Sequence, residues 1–401
     1  MDAPATSAKP FPWVGLLTLS VLIFMMVTSE FLPTGLLPEI SEELQVSESQ
    51  VGILVTVFAG TVVLTATPLS FLTRRYSRKS LVVVVLFVFI LGNVLAALAP
   101  NYAVLVVARV IGGLAHGLFW SVVGAYSAHL VPKHQLARAV AITSGGGTAA
   151  FVLGVPLGTA LGHSLGWRLA FAILAGAVLV LTLVTVKLLP SVSHGEVLAT
   201  GEIPLPMHKD RTVPGVIIVG VIIVLVALGH NLFYTYIAPF LIGPMGIDPD
   251  QVAAWLFLYG GAGAIGLVVA GTLGDRFPRG AMIGSIVMIL VSVTVLAAFP
   301  ELTWVAFAAI IVWGASFGAL PSLLQARMLH TASVRVRDVA ASYFTTSFNF
   351  SIGMGALVGG LLLDRLGVGA LPWFDIAITA LGLGLVIFAN AWLARRGLTA
   401  R

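Results

Sequence analysis

Glu30, Arg109 and His116 are the residues whose types could move a proton, and each stands in a stretch otherwise made of hydrocarbon. The proton affinity of a carboxyl set among apolar groups depends strongly on whether a cation stands beside it or withdraws. A carboxyl and an arginine that can separate therefore make a proton switch. Glu30 is the only acidic residue placed deep within an apolar run. His116 and Trp120 follow Arg109 at steps of seven and four, so on a helix the three share one face. The His116 imidazole could titrate near physiological pH or hydrogen-bond a solute. A second cluster, His230-Asn231-Leu232-Phe233-Tyr234-Thr235-Tyr236, offers hydrogen-bonding and aromatic groups without a charge. From these stretches Glu30, Arg109 and His116 are expected to couple protons and Trp120, His230, Asn231 and Tyr234 to bind a solute, together with Asn349 of a later run.

The surroundings that must position these residues are set by composition. Of 401 residues, 59% are hydrophobic and 9% charged, against roughly 25% charged in an ordinary soluble domain. Such a chain cannot cover a water-facing surface, and its solvent is a bilayer. There is no cysteine, which excludes disulfides, thiolate metal sites and cysteine nucleophiles. The eight histidines are scattered and no His-Glu-x-x-His occurs, so an enzyme is not indicated, and no cofactor or metal is expected. Apolar runs between polar breaks give twelve spans, near 14–37, 51–72, 81–99, 103–130, 138–165, 169–189, 214–241, 252–273, 281–299, 303–325, 339–363 and 372–394. The first run is too long for a cleaved signal and lacks a small-residue cleavage site. The polar stretch from 190 to 213 reads as a linker between units 1–189 and 214–401.

With both termini on the cytoplasmic side, all but three of the 21 basic residues fall on that side; Arg168, Arg365 and the intramembrane Arg109 are the exceptions. The asymmetry fixes the expected orientation in an inner (plasma) membrane. It also accounts for the net charge of +5, leaving no reason to expect a nucleic-acid partner. At 1.5 Å per residue Glu30 lies roughly 24 Å from the inner end of its span. Arg109 lies about 9 Å from the outer start of the fourth span. In a hydrocarbon core of about 30 Å these depths agree, and Glu30 and Arg109 are expected to be neighbours.

The chain repeats itself at an offset of 201. Pro38 falls on Pro239, Gln50 on Gln251, Arg75 on Arg276, Gly113 on Gly314, Gly117 on Gly318, Gly154 on Gly355 and Gly158 on Gly359. The fold expected is therefore all-α, with twelve transmembrane helices in two parallel-repeat six-helix bundles and a binding site between them. Gly146, Ala150, Gly154, Gly158, Gly162 and Gly166 form a small-residue stripe, repeated by Ser347, Ser351, Gly355 and Gly359. Such stripes let helix backbones approach closely, here expected across the interface between halves.

Several motifs resemble the major facilitator superfamily over the full length. Gly271-Thr-Leu-Gly-Asp275-Arg276-Phe-Pro-Arg279 is similar to its cytoplasmic loop motif, whose counterpart in the first half carries Ser70 and Arg74 in place of Gly and Asp. Arg109-Val-Ile-Gly-Gly113 resembles its fourth-helix motif, and Gly154-Val-Pro156-Leu-Gly158 its fifth-helix Gly-Pro motif of efflux antiporters, with Val155 interposed. Gly271, Asp275, Arg276, Gly154, Pro156 and Gly158 are accordingly expected to act in conformational change. Thr28-Ser-Glu30-Phe-Leu-Pro-Thr-Gly-Leu-Leu-Pro38 and Ala115-His116-Gly-Leu-Phe-Trp120-Ser121 look most like the drug:proton antiporter group, nearest its sugar-efflux and chloramphenicol-efflux permeases. The resemblance implies a proton-driven exporter of a small neutral or amphipathic solute, monomeric in the bilayer. An importing symporter or facilitator on the same scaffold is the alternative.

Overall fold

A computed structural model describes residues 11–73, 76–131, 135–189, 210–333 and 336–395. Twelve of its helices are long and apolar enough to cross a membrane. The predicted linker lies, up to residue 209, outside the described residues.

The first half comprises α1 (Trp13–Gly35), a short α2 (Leu37–Leu44), α3 (Glu48–Thr73), α4 (Arg78–Ala97), α5 (Tyr102–Leu130), α6 (Leu136–Ala149), α7 (Val155–Leu165) and α8 (Trp167–Leu188). The second comprises α9 (Val213–Tyr234), a short α10 (Ile237–Ile242), α11 (Val252–Arg276), α12 (Pro278–Ala298), α13 (Thr303–Thr331), α14 (Arg337–Leu366) and α15 (Leu371–Arg395). The run predicted at 14–37 stops at Gly35, with Pro33 inside α1 and Pro38 in the first turn of α2. Its repeat breaks likewise between Tyr234 and Ile237. Proline supplies no N–H to continue a helix but fits a first turn.

The fifth span is α6 and α7 joined by a π-helical turn over Ala150–Gly154. Pro156, in the first turn of α7, has no N–H to give the Val152 carbonyl, and a widened turn there absorbs the mismatch. Gly166 (φ 88°) and Gly367 (φ 79°) turn the chain between α7 and α8 and ahead of α15. They are one offset apart, and each occupies a backbone region that a side chain disfavours.

With twelve crossings, the start of α1 and the end of α15 lie on one face of the bundle, called here the terminal face; the other is distal. Within the first half α1 packs on the fifth span, while α5 packs on α3 and α4; within the second α9 packs on α14 and α15, and α11 on α13. The halves meet along two symmetry-related lines, α3 against α14 and α11 against the fifth span. The small-residue stripes are not on those lines. A methyl on Gly146 would land on the Ser20 carbonyl, one on Gly154 on Thr28, one on Gly158 on Leu32 and one on Gly162 on Leu36. In the second half Gly355 and Gly359 abut Asn231 and Leu232, and the Ser351 hydroxyl donates to the Val224 carbonyl (3.3 Å). The expectation that the stripes join the halves is thus corrected: each packs two helices closely inside one half, α1 on the fifth span and α9 on α14.

Candidate functional site

Arg109 is buried, and its charge is held by backbone. Nη1 donates to the Ser29 carbonyl and Nη2 to the Glu30 carbonyl, both at 2.8 Å, while the guanidinium lies 4.2 Å from the Phe58 ring centre. The cause is in the sequence of α1. Pro33 stands four residues after Ser29, so the Ser29 carbonyl has no helical N–H partner. A freed carbonyl in an apolar interior is a strong acceptor for a cation that must itself be satisfied. Arg109 and Glu30 are neighbours, as their depths predict, but the Arg109 guanidinium and the Glu30 carboxyl form no ion pair with each other. The expected charge pair is corrected to a clamp on the Glu30 main chain.

The Glu30 carboxyl turns instead to His116. Its Oε2 lies 3.5 Å from His116 Nε2, and its Oε1 has no partner. Nε2 also accepts the indole N–H of Trp120 at 2.6 Å. Glu30 and His116 are buried, whereas Trp120 is half-buried. A nitrogen already accepting from Trp120 carries no hydrogen, and its one lone pair is taken, so the Glu30 oxygen beside it has no hydrogen bond to it while the indole stays in place. Behind Arg109, the Ser29 hydroxyl donates to Asn93 Oδ1 at 2.8 Å, tying α1 to α4.

At the same offset the second half replaces charge with rings. Ile310 stands for Arg109, Phe317 for His116, Trp313 for Gly112 and Tyr259 for Phe58. His230 stacks on Phe317 (centroids 3.3 Å) and on Tyr234 (5.2 Å), with Trp313 edge-on at 5.2 Å. The Tyr259 hydroxyl lies 3.4 Å from His230 Nε2. Phe31 and Phe151 of the first half pack together at 4.8 Å and both reach Tyr234, so the rings cross between halves. Of the residues expected to bind solute, His230 and Tyr234 belong to this box. Asn231 and Asn349 each turn an amide back to their own helix, at the Ala227 and Thr345 carbonyls. Trp120 alone of the five is half-exposed.

The halves are sealed at the distal face. Ser49 donates to Asp364 Oδ2 (2.7 Å) there, and deeper in the bundle Thr56 donates to the Gly353 carbonyl (2.9 Å), both from α3 to α14. His163 on α7 stands between Glu39 of its own half (2.9 Å) and Asp250 of the other (2.5 Å). Gly260 of α11 leaves no room for a side chain against the Phe151 carbonyl. At the terminal face Gly271 and Arg276 are exposed, the Arg276 guanidinium lying 5.4 Å from the Phe277 ring centre. The Asp275 side chain lies outside the described residues.

The spacing of motifs left several groups unread. Tyr259 stands on one span and Trp313 and Phe317 on another, and only the repeat offset links them to Phe58, Gly112 and His116. Glu30 is the acid deep within an apolar run, but Asp375 is a second buried acid. It sits within the last predicted span, fully buried, near its end. Arg327, assigned to a loop, lies inside α13 and donates to Asn390 of α15 at 2.7 Å.

A family model described as Major Facilitator Superfamily matches residues 19–213 and 219–397. A protein of Helicobacter pylori strain G27 named "Probable sugar efflux transporter" is 30% identical over 377 residues, covering 94% of this chain and 95% of its own. One of strain P12 with the same name is 31% identical over 387 residues, covering 96% of each. Among solved structures, a bacterial homologue of the human lysosomal transporter Spinster, inward-facing and occupied, superposes with a TM-score of 0.80 at 16% identity, covering 96% of this chain and 98% of that one. The nucleoside transporter NupG superposes at 0.74 with 15% identity, covering 94% and 99%.

Proposed function

Because the chain belongs to the major facilitator superfamily and is a multi-pass membrane transporter, we propose that it expels a small neutral solute of the sugar class in exchange for protons. The terminal face is the cytoplasmic face of the inner membrane in this reading, and the distal face opens outward. The protein works as a monomer, without a cofactor, on the proton gradient.

The observation that carries the reading is the chain Glu30–His116–Trp120. It joins a buried carboxyl to a half-exposed indole through one imidazole. In the distally sealed state Glu30 holds a proton taken from outside. A solute hydroxyl that accepts the Trp120 N–H from the cytoplasmic side frees His116 Nε2. That nitrogen then becomes a base 3.5 Å from the carboxyl, and the proton passes through it to the cytoplasmic cavity. Solute and proton thereby compete, as exchange requires. Arg109 keeps α1 in register through the Ser29 and Glu30 carbonyls and places its charge beside the vacated carboxylate.

The sugar class is supported by the names of the relatives. It is also supported by a site with polar and aromatic groups and few carboxylates, since hydroxyls need acceptors and donors while the apolar faces of a sugar ring stack on aromatic side chains. The test is reconstitution in liposomes carrying an internal pH dye, challenged with sugars, nucleosides and chloramphenicol. Proton movement opposite to sugar flux, lost in Glu30→Gln, is the expected result. Movement in the same direction makes the protein an importer. Flux without proton movement, unchanged in the variant, reduces Glu30 to a packing residue.

A further inference from the structure

Asp375 lies four residues into α15, about 6 Å along its axis from the distal end. Its side chain is fully buried. Oδ1 accepts the Thr379 hydroxyl at 2.8 Å, and Oδ2 has no partner. No ion pair reaches it among the described residues. The space is made by Gly229 of α9, where a Cβ would stand 2.6 Å from Thr379 Oγ1 and 2.8 Å from Asp375 Oδ1.

The repeat says whether the fold needs a carboxyl here. At the offset of 201, Asp375 corresponds to Leu174, Thr379 to Val178 and Gly229 to Thr28. Leu174 and Val178 are buried hydrocarbon. The first half thus builds the same helix contact from two aliphatic side chains, and packing alone gives no reason for an acid. Intramembrane acids are costly, and one without a cation beside it persists in a bilayer interior by carrying a proton.

We propose that Asp375 is a second proton-binding carboxyl, housed in the second half and loaded from the distal side when the halves part there. The inference rests on the reading of the chain as proton-coupled. The groups around Asp375 are few. On α15 it has Thr379, on α9 His230 adjoins Gly229, and on α11 Tyr259 interacts with it electrostatically. His230 Nδ1 is buried and without a hydrogen-bond partner. From α14 come Asp364, held by Ser49, and the exposed Arg365; α12 brings only Arg279, at its opposite end. A carboxylate and one hydroxyl are too few oxygens to replace the water shell of a metal cation, so the ligand is the proton.

Infrared difference spectra of purified protein between acid and neutral buffers read carboxyl protonation without transport. Wild type is expected to show two components. Asp375→Asn removes one and Glu30→Gln the other. The double variant Asp375→Leu/Thr379→Val, which copies the packing of the first half, guards against misfolding and loses the same component as Asp375→Asn. A spectrum unchanged by both Asp375 variants overturns the proposal, and so does a component that follows sodium rather than pH. If liposomes show no solute-driven proton movement while the Asp375 component stands, exchange fails and the second carboxyl survives.

Discussion

At the residue scale the outcome turns on who holds which proton and which carbonyl. Trp120→Phe keeps the ring and deletes the donor to His116. A neutral hydrogen bond contributes about 1 kcal/mol, so apparent solute affinity should change by about fivefold, with proton release no longer tracking solute. A fluorescence titration beside the liposome assay separates the two. Arg109→Lys keeps the charge but cannot reach two carbonyls with a planar fork. A loss of about 2 kcal/mol is expected, visible as a lower unfolding temperature in detergent. Much of this neighbourhood was readable beforehand. Helical depth placed Arg109 beside Glu30, and a step of four placed Trp120 beside His116. What depth does not tell is whether a guanidinium takes a carboxylate or a carbonyl. That choice was settled by Pro33, whose effect falls four residues upstream on Ser29. Asp375 escaped for another reason: an acid near the end of an apolar run looks like a boundary until the packing of α9 is known.

At the scale of elements, apolar runs located all twelve spans, because in a bilayer hydrophobic length and helix length are the same constraint. The breaks at Leu36 and Tyr236 and the π turn before Pro156 were less accessible, since each depends on where an unpaired carbonyl is absorbed. The stripes were seen but given the wrong partner, because spacing shows that a face is flat and not what lies upon it. Adjacent glycines supply the check. Gly146→Ala pushes a methyl into the Ser20 carbonyl, whereas Gly145 faces open space. The first should destabilise by about 1–3 kcal/mol, and the second should be neutral or stabilising by about 1 kcal/mol. Thermal unfolding of the two variants side by side decides it.

At the scale of the molecule, the two halves share a fold and divide the chemistry, with charge around Arg109 and rings around His230. What joins them at the distal face includes the bridge from His163 to Glu39 and Asp250. These groups are partly exposed, so the bridge is worth about 1 kcal/mol or less. His163→Ala should therefore shift the balance toward distally open forms by a few-fold at most. Spin labels placed across that face would report it as a longer distance population, and an unchanged distribution would remove His163 from the seal.

The glycine contacts carry a mechanical consequence. With Ser20, Thr28 and Leu32 of α1, and Leu36 just past its end, seated in the glycine row of the fifth span, and the α9 backbone on Gly355 and Gly359 of α14, neither pair can shear without lifting a whole row of contacts. Each pair then acts as one lever, and the halves bear on each other along the lines where α3 meets α14 and α11 meets the fifth span. Those lines are the fulcrum. A rocking molecule of this build transmits a small tilt at one face as a wide gap at the other, and it does so without bending the helix that carries Glu30.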